Sequence, residues 1–371
     1  MSGVPLVDLG WQHRAISTAV AAAWERIIED GAFIGGPDVE AFEREYAEVI
    51  GVAHCIGVAN GTDAIELALR AHGIGLGDEV IVPANTFIAT AEAVWRAGAV
   101  PVACDIDDDT LQMDPVDAAH RITARTAAIV PVHLHGHPAP MPEIEAVAQQ
   151  HGLMLLEDAA QAQGARLHGR ALGSWGDIAA TSFYPGKNLG AYGDAGAVLT
   201  QSDAVAQRVR RLREHGSVRK YSHEQFGCTA RLDTVQAAVL RTKLPYLAAW
   251  NERRVQAAAL YSEILARQSG VRLPVVASGA EPVWHCYVVR VRERDQVLRL
   301  LHDLGIGAGI HYPVPIHRTP AWSAQGYAVP ELPVAERVAP TLLSLPIYPG
   351  ITLRDQEQVG TALLQALRQV A

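Results

Sequence analysis

The stretch Thr181-Ser-Phe-Tyr-Pro-Gly-Lys-Asn-Leu-Gly190, continuing as Ala-Tyr-Gly-Asp-Ala-Gly196, sets a lysine on a turn between two runs of strand character. The first run delivers a serine, the chain turns at Pro185-Gly186, and a glycine-rich return follows Lys187. An amine held on such a turn and partly desolvated is neutral and able to attack a carbonyl. A loop lysine taken by residue type alone is a solvated surface group, so the weight of the reading rests on its neighbours. The candidates for an amine nucleophile are few: of 31 basic residues, only Lys187, Lys220 and Lys243 are lysines.

Upstream, short apolar runs alternate with helical periodicity between about residues 53 and 200. Strands are expected at Cys55–Ala59, Glu79–Pro83, Val100–Asp105, Ala127–His133, Leu153–Glu157, Ile178–Ser182 and Ala197–Thr200. Helices fall between them at Asp63–Ala71, Ala89–Gly98 and Met141–Gln150. This alternation predicts an α/β fold with a mostly parallel sheet covered on both faces, and with ligands at the carboxyl ends of its strands. Downstream, helical stretches at Ala204–Glu214, Thr234–Lys243 and about Pro245 to Arg267 lead to a strand at Trp284–Val291 and helices at Asp295–Leu304 and 353–369. The change of texture near 245 predicts a large domain over 13–245 and a smaller α+β domain over 246–371, with residues 1–12 packing on the latter.

Two further segments bear on chemistry. Leu153-Met-Leu-Leu-Glu-Asp158 is an apolar strand ending in an acidic pair, where a carboxylate could hold a ring-nitrogen cation or simply cap a helix. Ala59-Asn-Gly-Thr-Asp63 is a strand, a tight turn and a helix start, a ready anion site with the Thr62 hydroxyl as an added donor. No lysine follows to make a Walker loop, and there is no GxGxxG. His133-Leu-His135 puts two imidazoles on one strand face, but no Cys or carboxylate cluster accompanies them and no metal is expected.

Composition narrows the class. The 371 residues are 49% hydrophobic and 19% charged, which describes a well-buried globular protein. A net charge of −9 argues against nucleic acid or an acidic membrane as partner. Four scattered cysteines without CxxC spacing, the lack of a basic-then-apolar leader and the lack of an 18-residue apolar run lead to the expectation of a cytoplasmic protein with reduced thiols.

In order along the chain, VPLVDL (4–9), FIGGPDVEAFE (33–43), ANGTDAIELAL (59–69), PANTFIATAEAV (83–94), EDAAQAQGA (157–165), SFYPGKNLGAYGDAG (182–196) and RLDTVQAAVLRTKL (231–244) resemble the DegT/DnrJ/EryC1/StrS family of sugar aminotransferases. The resemblance implies the pyridoxal 5′-phosphate (PLP) transferase fold of type I, with Lys187 forming the Schiff base and Asp158 facing the pyridine nitrogen. It also implies Gln161 near the ring hydroxyl, Phe87 on the ring face, and Gly61, Thr62, Asp63 (through its backbone) and Ser182 at the phosphate. Similar proteins are homodimers with shared active sites; many carry Asn where this chain has Thr229, and that Asn reaches the neighbour's phosphate. Members that remove a hydroxyl carry histidine in place of the lysine, so lysine favours aminotransfer. Lys220, Tyr221, His311, Tyr312 and His317 look like the branch that aminates nucleotide-linked keto-sugars, especially dTDP-linked 3-keto-6-deoxyhexoses, with glutamate as donor. Amination at C4 or of a cyclitol, a PLP-dependent dehydratase and a non-catalytic regulatory module stand as alternatives.

Overall fold

The computed structural model describes residues 3–370. Seven strands form the main sheet: β1 (His54–Val58), β2 (Glu79–Pro83), β3 (Val100–Cys104), β4 (Thr126–Ile129), β5 (Met154–Asp158), β6 (Ile178–Ser182) and β7 (Gly196–Thr200). Their order across the sheet is β1-β7-β6-β5-β4-β2-β3. Pairing is parallel from β6 through β3, while β7 runs antiparallel to both of its neighbours. The fold is thus α/β with a mostly parallel sheet, and six strands end at one edge.

Local chemistry accounts for these elements. β2 reads Glu-Val-Ile-Val-Pro and is buried throughout, as a central strand covered on both faces must be. Helices Gly61–Ala71 and Ile88–Ala97 pack on the sheet, and Leu67, Leu69, Val80, Val82 and Val94 are fully buried between the layers. Each such side chain contributes roughly 1.5–3 kcal/mol of burial. Asn60 caps the first helix through its side chain, and Gly98, at φ 89°, ends the second.

A second sheet combines Val271–Arg272, Tyr287–Val291 and Leu342–Leu345. It packs against helices Leu247–Leu265, Arg294–Asp303 and Leu353–Val370 around Tyr261, Tyr287, Val289, Leu343 and Leu363. Val4 bridges to Ile306 and joins this cluster, so the first described residues lie on the second sheet. The two bodies are pinned where Asp108 meets Arg272, Arg290 and Arg337, which holds its carboxyl down to about 2.

Three of the shifts in expected boundaries have a plain physical cause. The strand expected at Ala127–His133 stops at Ile129, because Pro131 has no N–H for the ladder and residues 134–136 form a 3₁₀ turn with His135 at φ 62°. The strand expected from Trp284 begins at Tyr287, since Trp284 sits at φ 49°. The helix expected from Pro245 starts at Leu247, after a 3₁₀ turn at Leu244–Tyr246. Helices Leu9–Asp30 and Pro37–Ile50 were not foreseen.

Candidate active site

At the shared edge of the sheet lies a cavity of about 460 Å³. The ends of β1, β2, β5 and β6 supply Gly61, Thr86, Asp158 and Ser182, and the loop after β6 supplies Lys187. The second sheet closes it with His285, Cys286, Ser344 and the segment bearing His311 and Tyr312.

Asp158 is 4% exposed. Thr90 Oγ1 donates to Oδ2 at 2.9 Å and the Ala160 amide to Oδ1 at 3.1 Å, while Thr86 bonds Thr90 at 2.8 Å. Burial raises the Asp158 pKa above its ordinary value, against the pull of those two donors and of Lys187. Lys187 is half-buried on the cavity wall, and its own amide donates to the Tyr184 carbonyl at 2.8 Å. Burial lowers its amine's pKa, with Asp158 the main opposing charge. Each group favours the other's charge, but by less than burial opposes it, so both stand ready for a ligand that supplies a complementary charge or a carbonyl.

The helix start at Gly61 faces the same cavity. Of its first amides, that of Asp63 already donates to Asn60 Oδ1 at 2.8 Å, and that of Ala64 to the Asn60 carbonyl. The expected anion contact through the Asp63 amide is therefore not free here, and the Asp63 carboxylate is held by Arg96 at 2.7 Å. The amides of Gly61 and Thr62, with no carbonyl one turn back inside the helix, remain for an anion. Close packing makes the cradle: a Cβ on Gly61 would sit 2.7 Å from Ser182 Cβ, and one on Gly196 2.4 Å from the Asn60 carbonyl.

On the opposite wall, Gln161 accepts from the His135 amide at 2.6 Å and donates to the Tyr312 hydroxyl at 3.1 Å. The Phe87 ring, 52% exposed, lies 5.3 Å from that of Tyr312. His135 Nε2 donates to the His311 carbonyl at 2.9 Å, and His311 Nδ1 shares a hydrogen bond with Ser344 Oγ at 2.8 Å. Burial pushes both imidazoles down to about 4, so both are neutral at pH 7. His133 turns elsewhere: it receives the Ala139 amide at Nδ1 (3.1 Å) and donates from Nε2 to Glu157 at 3.0 Å.

Of the residues singled out from sequence, the cavity gathers Gly61, Thr62, Phe87, Asp158, Gln161, Ser182, Lys187, His311 and Tyr312. His317 does not join them; it is wholly buried, with Nε2 3.0 Å from Glu336, because the loop folds back after Pro315. Lys220 and Tyr221 sit on an exposed hairpin (217–223) away from this cavity, and Thr229 Oγ1 bonds His215 Nε2 at 2.8 Å on the surface. Sequence reasoning missed Thr90, in the first turn of the helix that starts at Ile88, whose hydroxyl meets that of Thr86 in the turn before it. It also missed His285, Cys286 and Ser344, which no local pattern connects to the lysine.

A sheet edge with an anion cradle, a desolvated lysine and a buried carboxylate suits an enzyme that captures carbonyl or amine groups beside an anchored phosphate. The residues present fit PLP: the Gly61 cradle for its phosphate, and for its ring nitrogen a buried carboxylate that makes no salt bridge among the described residues. A model of the DegT/DnrJ/EryC1/StrS aminotransferase family matches residues 15–364, and the chain belongs to that family of PLP-dependent aminotransferases. It is 47% identical over 348 residues to a dTDP-3-amino-3,4,6-trideoxy-alpha-D-glucose transaminase of Streptomyces venezuelae, covering 94% of this chain and 92% of that one. It is 44% identical over 366 residues to a UDP-N-acetyl-3-dehydro-alpha-D-glucosamine 3-aminotransferase of Acidithiobacillus ferrooxidans, covering 99% and 98%. The crystal structure of S. venezuelae DesV with a ketimine intermediate superposes with a TM-score of 0.96 at 45% identity, over 98% of each chain.

Proposed function

We propose that this aminotransferase moves an amino group from glutamate to C3 of a dTDP-linked 3-keto-6-deoxyhexose. The observation that carries the sugar class is the similarity, across nearly the whole chain, to transaminases named for 3-amino nucleotide sugars. The two-sheet cavity supports it, with neutral His311 and the Tyr312 hydroxyl offering hydrogen bonds without charge.

When bound, PLP supplies a carbonyl that captures amines and a ring that delocalises the electron pair left when the amine's Cα–H bond breaks. Lys187 would hold the cofactor through Nζ. Burial lowers the pKa of that amine, which favours the neutral form that could take a proton from Cα and pass it on. Asp158 would keep the ring nitrogen protonated, and the Thr86–Thr90 pair fixes the carboxylate's orientation. Gly61, Thr62 and Ser182 would hold the phosphate, Gln161 would serve the ring hydroxyl and Phe87 the ring face; all line the cavity.

The large domain is taken as 13–245 and the small one as 246–371 with the N-terminal segment. A homodimer with shared sites is supported by the exposure of Phe33, Ile34, Tyr221 and Phe226. Lys220, Tyr221 and Thr229 then serve the partner's site. No helix among the described residues is long and apolar enough to cross a membrane, and the four cysteines are free, in keeping with a cytoplasmic enzyme. The test loads the enzyme with the amine form of the cofactor, presents a panel of keto-sugar nucleotides, and reads product mass. Amination of the 3-keto-6-deoxyhexose is expected; products only from 4-keto sugars or cyclitol ketones would overturn the assignment.

A further inference from the structure

The second buried lysine has no part in the chemistry above. Lys243, at the end of the Thr234–Lys243 helix, is 2% exposed, yet no carboxylate pairs with it among the described residues. Its Nζ donates to the Gly190 carbonyl at 2.6 Å and lies 4.7 Å from the centroid of the Tyr192 ring. Burial alone lowers its pKa, to about 8. A methyl-ended side chain of the same length would fill this space without that cost, so the ammonium is retained against a penalty.

What it grips is the return of the Lys187 loop. That loop is closed upon itself: the Lys187 amide reaches the Tyr184 carbonyl, the Ala191 amide reaches the Phe183 carbonyl, and a Cβ on Gly190 would sit 2.4 Å from the Pro185 carbonyl. Asn188 ties one side to Asn251 and to the Val283 carbonyl, at 2.8 and 3.0 Å. The other side is held from the helix by Gln236, which accepts from the Tyr192 amide at 2.8 Å, and by Lys243 two turns later on the same face. Without Lys243 the Gly190 carbonyl loses its donor among the described residues in a buried setting, and the loop can sag toward that side.

We propose that Lys243 is a positioning residue: through the Gly190 carbonyl it sets the placement of the loop, and hence of Lys187 Nζ, for capture of the cofactor's carbonyl. This rests on Lys187 being the anchoring lysine. The test compares wild type, Lys243→Met, Lys243→Arg and Lys243→Gln. Three readouts are the rate at which the apoprotein captures PLP, the peptide that carries the borohydride-trapped adduct, and amide hydrogen exchange over 183–195 in the apoprotein. In Lys243→Met, capture should slow by about tenfold and exchange rise by a similar factor, the scale of one hydrogen bond to a charged group. KM for the amino donor should stay within about twofold, and Lys243→Arg should restore most of both effects. If Lys243→Met does not fold, Lys243→Gln carries the comparison, since its neutral amide tolerates burial but stops one atom short of Gly190. Unchanged capture and exchange in a folded variant with a lowered melting temperature would overturn the proposal and leave Lys243 a filler. An adduct mapping away from Lys187 in wild type would instead overturn the anchoring assignment.

Discussion

Replacing Asp158 by Asn changes one charge and almost no volume. The carboxylate now accepts from the Ala160 amide and from Thr90. An amide can keep the first contact with its oxygen and reverse the second, because Thr90 and Thr86 share a hydroxyl pair in which either can donate. The site should therefore stay folded and still bind PLP. What is lost is an anion beside a ring cation: unit charges at hydrogen-bonding range in a partly buried site interact by roughly 4 kcal/mol, which converts to ~10³-fold in rate. Single-turnover reaction with the amino donor, monitored by cofactor absorbance, measures it. The apoprotein supplies an independent sign. Because burial raises the pKa of Asp158 above 3.8, the unfolded chain ionises more readily, and its charge costs stability at pH 7. Apo Asp158→Asn should melt no lower than wild type at pH 7, and any gain should vanish as pH falls below 3.8. Near-normal turnover with cofactor bound would refute the reasoning.

Lys187→Ala should abolish borohydride trapping; an adduct that maps to Lys220 or Lys243 in the wild type would move the anchor elsewhere. Thr229→Val should weaken PLP binding about ten- to a hundredfold if the hydroxyl reaches the partner's phosphate, since a hydrogen bond to a charged group is worth roughly 1.5–3 kcal/mol. A lower melting temperature with unchanged affinity would assign that hydroxyl to His215 alone. With His135 and His311 both held near 4, neither gains a proton as pH falls from 8 to 6. An acid limb in kcat/KM near pH 6.5 that disappears in His311→Gln would show that this imidazole titrates in the working range.

The α/β core was legible because its signals are local. Glu79–Pro83, Ile178–Ser182 and Thr234–Lys243 have the boundaries that their apolar runs and caps imply. The reversed direction of β7 was not legible, since Gly-Ala-Val-Leu-Thr reads the same in either orientation and direction follows from the connection after Lys187. His317 was misplaced for a related reason: the Pro-rich loop brings Tyr312 to the cavity and then turns, at Ile316, to bond the Ala84 carbonyl. His285 and Ser344 enter the site only through the docking of one sheet on another, which is long-range packing and leaves no mark on nearby sequence.

The cavity takes its walls from Leu6 through Ile347, and so it exists only while both sheets are assembled and docked. Any opening that separates them dismantles the site before the cores melt. Cofactor uptake then draws the population toward the docked form by mass action: PLP at a hundredfold over its dissociation constant adds about 2.7 kcal/mol to the resistance against such opening. Holoenzyme and apoprotein should accordingly differ in protease sensitivity, the chain without its cofactor being cut faster.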